Sequence, residues 1–262
     1  MMRANEALRQ HWPEYLIEGW ALGSFMLSAG LVATILEYPH SVVHASLSSP
    51  LLRHSLAGVL MGATAVTLIY STWGKRSGAH MNPSVTLTYY LLGRVHLWDA
   101  IFFMIAQTLG GTAGILLLAA VLGSPFRAEP VHYAATVPGE AGPVVAFLAE
   151  FGISAALMGV ILSFTSQPML ARRTGIAAGC LIALYVAFES PLSGMSMNPA
   201  RSFASAAPGS NWKHLWIYFL APPLGMLSAA GVFVSVRGRG RLPCAKLNHS
   251  DRVRCIHCGY RP

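Results

Sequence analysis

Long apolar runs, separated by short polar stretches, set the reading of this chain. Six windows carry few or no charged residues: about Glu14–Leu36, Arg53–Trp73, Leu97–Leu122, Pro143–Ser166, Thr174–Ser190 and Trp212–Val236. An α-helix rises about 1.5 Å per residue, so some 20 apolar residues cross a hydrocarbon core of about 30 Å. Each window therefore predicts a transmembrane helix. The first is too long for the core of a signal peptide and no small-residue cleavage site follows it, so it predicts a retained span.

Two polar interruptions are near copies of each other: "SGAHMNPSVTL" from Ser77 to Leu87 and "SGMSMNPARSF" from Ser193 to Phe203. Proline is favoured at the first position of a helix, where its missing N–H would be unpaired anyway. Asparagine just before it is a strong N-cap. Asn82–Pro83 and Asn198–Pro199 thus predict two helix starts. The first helix should run to about Gly93, and the second to about Ala207, where Pro208–Gly209 stops it. Such helices are roughly 13 to 17 Å long, half a bilayer core, so they enter and turn back. The non-helical backbone before each survives at membrane depth only if protein buries it or it lines a watery cavity.

The halves repeat. "IEGWALGSFML" opens the first span and "LAEFGISAALM" the fourth, with Glu18 and Glu150 in matching places. Each half runs span, span, Asn-Pro segment, span. Three crossings per half invert the second half relative to the first, which brings the two Asn-Pro segments together at the midplane. The predicted domains are an N-terminal segment 1–13, a membrane domain 14–236 with repeats at about 14–122 and 143–236, and a tail 237–262.

Composition agrees: of 262 residues 54% are hydrophobic and 11% charged, the latter under half the roughly 25% of soluble domains. The net charge of +8 would suit nucleic acid, but the basic residues cluster beside spans. Arg3, Arg9, Lys75, Arg76, Arg94, Arg172, Arg173 and the tail arginines fall on one side, against Arg53, Arg127 and Lys213 on the other. The positive-inside rule predicts cytoplasmic termini, which an even number of crossings allows, and no nucleic-acid partner.

The paired segments closely resemble the two pore loops of the major intrinsic proteins, the aquaporins and aquaglyceroporins, over roughly Glu14 to Val236. Ser84 departs from the usual alanine; the second motif, Asn198, Pro199 and Ala200, keeps it. The resemblance implies an all-α right-handed bundle of six transmembrane helices and two half-helices, a homotetramer in a plasma or inner membrane, and no enzymatic activity. It implies a passive channel for water or small neutral solutes such as glycerol or hydrogen peroxide, with lipids around it and no cofactor for transport. The amides of Asn82 and Asn198 would interrupt the proton-carrying water wire. Each half-helix start adds about half a positive charge against cations. Carbonyls of Gly78, Ala79, His80, Gly194 and Ser196 would form a ladder of acceptors, and Glu18 and Glu150 would hold the loops. Arg201, costly in lipid, should face the lumen and form a filter with Met195, Val186 and Met61, Gly62 being the alternative to Met61. Water-specific members carry histidine and an aromatic where Val186 and Met61 stand, so the solute stays open. Gly58/Gly62, Gly110/Gly114 and Gly175/Gly179 are read as packing positions.

Other classes fit less well. A secondary transporter shares inverted repeats and broken helices but would want an acid beside an Asn-Pro pair, and none is there. A non-conducting structural member of the family is a further alternative. The tail, "CAKLNHSDRVRCIHCGYRP", carries Cys244, His249, Cys255 and Cys258. These supply the four N/S ligands of a structural zinc site, with His257 as a substitute for His249. Cytoplasmic thiols are kept reduced, which favours metal over disulfide.

Overall fold

The computed structural model describes residues 2–261, and among them there is no β-strand. Eight helices of nine or more residues build the fold: α1 Ala4–Glu37, α2 Pro50–Tyr70, α3 Pro83–Leu91, α4 Leu97–Leu122, α5 Gly142–Thr165, α6 Thr174–Phe188, α7 Pro199–Gly209 and α8 Leu215–Arg237. Five are long and apolar enough to cross a membrane (α1, α2, α4, α5 and α8). The predicted fifth span, α6, has only 15 residues. At about 22 Å it crosses most of a hydrocarbon core.

Three boundaries differ from the sequence reading. Helix α1 begins at Ala4, within the N-terminal segment 1–13, and runs through Pro13. Helix α3 ends at Leu91 rather than Gly93. Helix α7 passes through Pro208 and stops one residue later, where Ser210 takes φ 52°. Proline's fixed φ is itself helical, so near a C-terminus it need not end the helix; the left-handed Ser210 does.

The packing follows the inverted repeat. Helix α1 lies along α4, α5 lies along α8, and α2 crosses α6, its counterpart in the other half. Each half-helix also packs on the last span of the opposite half, α3 on α8 and α7 on α4. The closest approaches use glycine. A Cβ at Gly110 would fall 2.0 Å from the Gly19 carbonyl oxygen, and one at Gly62 would fall 2.5 Å from that of Gly179. Gly62 is thereby turned to α6.

Candidate functional site

The two half-helices meet start to start. The Asn82 Oδ1 accepts from the Ser84 N–H at 2.8 Å, and the Asn198 Oδ1 accepts from the Ala200 and Arg201 N–H groups at 3.1 and 3.2 Å. Each amide then donates across the repeat: Asn82 Nδ2 to the Met197 carbonyl at 2.6 Å and Asn198 Nδ2 to the Met81 carbonyl at 2.7 Å. An amide NH2 carries two hydrogens, so one on each asparagine stays available to a guest.

The loops before them are strained in the same way. Ala79, Met81, Met195 and Met197 have φ between 48° and 54°, a left-handed region that costs a non-glycine residue roughly 1–2 kcal/mol. A buried carboxylate holds each loop there. Glu18 accepts from Ser77 Oγ at 2.7 Å, the His80 N–H at 3.1 Å and the Met81 N–H at 2.7 Å. Glu150 accepts from Ser193 Oγ at 2.9 Å, the Ser196 N–H at 2.6 Å and the Met197 N–H at 2.7 Å. The sequence reading missed the serines, although both sit in the repeated Ser-Gly. It also missed Gln107, whose Nε2 reaches Glu18 at 2.9 Å; its signal is a lone amide in an apolar span.

Between the loops runs a cavity of about 490 Å³. Glu37, His54, His80 and Leu247 are among the residues that line it. Met61, Val186, Met195 and Arg201 line it together, as do Ala79, Gly194, Ser196, Asn82 and Asn198. The Arg201 Nη1 is buried without a partner among the described residues. Pro83, Ser84, Pro199 and Ala200 build the helix starts behind the asparagines. Gly78 departs from the expected ladder: its carbonyl accepts the N–H of Leu247 at 3.1 Å.

That contact belongs to the tail, which does not lie free. Leu242, Cys244, Ala245, Lys246, Leu247 and Cys255 are all buried. The ligand atoms of Cys244, His249, Cys255 and Cys258 lie within 4.8 Å of one another. His257 is not among them: its Nε2 meets the Ser77 carbonyl oxygen at 3.0 Å and its ring stacks on His80 at 5.6 Å. The Cys255 thiol is held well below its ordinary pKa, first by the Cys244 hydrogen bond and further by the Cys258 N–H and the Lys246 charge, against its burial. Burial pushes the Lys246 ammonium down.

The sequence model of the family described as "Major intrinsic protein" matches residues 10–233. The chain belongs to the major intrinsic protein family. Among its relatives, "Aquaporin NIP1-4" of Oryza sativa subsp. japonica is 35% identical over 217 residues, covering 82% of this chain and 74% of the rice protein. "Putative aquaporin NIP4-1" of Arabidopsis thaliana is 37% identical over 180 residues, 68% of this chain and 62% of that one, so here the chain spans less than two thirds of its relative. The fold matches the aquaglyceroporin from Plasmodium falciparum with a TM-score of 0.72 at 17% identity, over 87% of this chain and 97% of that chain. In this family member, both repeated loops lie inside the matched span, while the Cys/His tail falls beyond it.

Proposed function

We propose that this family member is a passive channel for water and small uncharged solutes, with its termini on the cytoplasmic side and its subunits in a homotetramer. One observation carries the reading: the single cavity that joins Met61, Val186, Met195 and Arg201 to the two asparagine amides. The relatives' names, aquaporin and aquaglyceroporin, support it, as does the basic side of the chain. A water at the midpoint accepts from Asn82 and Asn198 and so cannot accept from the next water, which interrupts proton hopping. The two half-helix dipoles point their positive ends at the same place and raise the barrier to cations. At the narrow point Arg201 supplies donors and fixed charge; Met61, Val186 and Met195 supply apolar walls. Three apolar walls favour a solute with a carbon face, such as glycerol, beside water.

Stopped-flow shrinkage of proteoliposomes under water and then glycerol gradients tests this. Flux above that of empty liposomes, non-saturable and independent of any ion gradient, is expected; flux equal to empty liposomes overturns it. Arg201→Val removes the filter's only charge and widens it. Proton leak, read with an entrapped pH dye, should rise roughly tenfold or more, corresponding to about 1.4 kcal/mol or more off the barrier, with neutral-solute flux kept or increased. An unchanged leak places Arg201 outside the filter.

A further inference from the structure

The tail is chemistry that the channel reading does not use. It carries three cysteines and a histidine at one point, and a buried segment, Cys244 to Leu247, of which Leu247 lines the cavity. Cys244 Sγ and Cys255 Sγ are 3.3 Å apart, and His249 Nε2 and Cys258 Sγ also 3.3 Å. Four ligands at tetrahedral corners about 2.3 Å from zinc stand about 3.8 Å from one another. The observed separations, from 3.3 Å to at most 4.8 Å, bracket that value. The other nitrogen of His249, Nδ1, faces the Asp251 carboxylate at 3.6 Å. A carboxylate there fixes the tautomer that presents Nε2 to a metal. Zinc with three thiolates and one imidazole carries a net charge of −1, and the buried Lys246 stands beside it as counter-charge, donating to the Lys75 and Arg254 carbonyls at 2.8 and 2.9 Å.

The segment around the cluster packs on the first Asn-Pro loop. Leu242, Ala245 and Leu247 join the same apolar core as the pore loops and spans. The Ala245 carbonyl meets His80 Nε2 at 2.8 Å. The Leu247 N–H donates to the Gly78 carbonyl at 3.1 Å, and Leu247 is among the residues that line the cavity. His257 lies across His80 and Phe103. Outside these contacts, Arg254 pins the tail to α1 by two bonds of 2.9 Å to Glu14 and one of 2.7 Å to the Gln10 carbonyl.

We propose that Cys244, His249, Cys255 and Cys258 bind one zinc ion, and that the tail folded on it seats Ala245–Leu247 in the mouth and closes the pore until the metal is lost. Binding exchanges whatever protons the three cysteines still hold for zinc(II), with no change of oxidation state. A segment this short has no core of its own. The metal supplies the folding free energy that holds the stopper, and thiolate ligands select zinc over the abundant hard cations. The closing role rests on the channel reading; the metal site does not.

The test uses the full chain purified without chelator, its Cys255→Ser/Cys258→Ser variant, and wild type stripped with a zinc chelator. Elemental analysis should find roughly one zinc per chain in the wild type, lost in both other samples. No zinc, or a thiol count two short that reveals a Cys244–Cys255 disulfide, overturns the site. Trypsin should cut at Arg252 and Arg254 several-fold faster in the stripped and variant proteins; equal rates mean that zinc does not fold the tail and overturn the proposal. In proteoliposomes, solute flux should rise several-fold on stripping and in the variant, and fall again when zinc is restored to the stripped wild type. Equal flux with and without zinc overturns the closing role. Flux at the level of empty liposomes in every sample overturns the channel reading, while the zinc and trypsin results still decide the site.

Discussion

Two buried carboxylates hold the pore loops in a conformation their sequences would not choose. Each loop places two non-glycine residues at positive φ, a cost of roughly 2–4 kcal/mol per loop. Each carboxylate answers with two backbone hydrogen bonds and one from a serine, and bonds to a charged acceptor contribute about 1.5–3 kcal/mol each. Glu150→Gln should therefore break the balance. One oxygen remains, but an NH2 group must face either the Ser196 or the Met197 N–H, donor against donor. A loss of about 2–4 kcal/mol is expected, read as a lower Tm in detergent and as loss of flux; a Tm within a degree of wild type would show that the loop holds itself. Glu18 and Glu150 were legible because they recur at one place in a repeat. Gln107 was not, since a single amide in an apolar span reads equally well as a solvent-facing accident. Met61 over Gly62 was undecidable by counting; a close helix crossing, invisible in one sequence, settled which of the two faces the cavity.

At the scale of elements, the Asn-Pro starts were legible because capping is local chemistry: an acceptor side chain, then a residue without an N–H. The ends were not, because Pro208 is compatible with a last helical turn and Ser210 could not be foreseen at φ 52°. The pairing of spans rests on glycines that let backbones touch. Gly110 is the tightest of those between α1 and α4, its added Cβ falling 2.0, 2.4 and 2.5 Å from the oxygen, carbon and Cα of Gly19. Backbone cannot move aside as a side chain can. Gly110→Ala should push α1 from α4 and destabilise by about 1–3 kcal/mol, seen as a lower Tm and a broadened size-exclusion peak. Gly231→Ala, where nothing lies within 4 Å, is the control and should leave both unchanged. Equal behaviour of the two variants would mean that the α1–α4 crossing is not set by contact.

For the molecule as a whole, the inverted repeat was the most legible feature, since two copies of one motif and an odd number of spans between them leave little choice of topology. The seat of the tail was the least legible. Its charges predict a segment outside the bilayer, and within that segment Lys246 and Leu247 are buried, Leu247 lining the cavity. No local pattern announces this, because the partners lie far away in sequence, at Gly78, His80 and Glu14. Glu14 allows the proposed closure to be tested apart from the proposed metal. It is fully buried and holds both Arg76 and Arg254, whose side chains are 38% and 42% exposed. Only the Arg254 pair reaches the tail, and solvent on the arginine side screens it, so its contribution to seating the tail is about 1 kcal/mol rather than the several expected of a wholly buried pair. Glu14→Gln keeps the side chain's shape and touches no cysteine or histidine. With zinc still bound, it should raise the open population of the tail about fivefold. That appears as faster cutting at Arg252 and Arg254 and as higher solute flux, at unchanged zinc content. Faster cutting with unchanged flux would mean that the tail leaves the helix without leaving the pore, and closure would then belong to the Leu247–Gly78 and Ala245–His80 contacts alone.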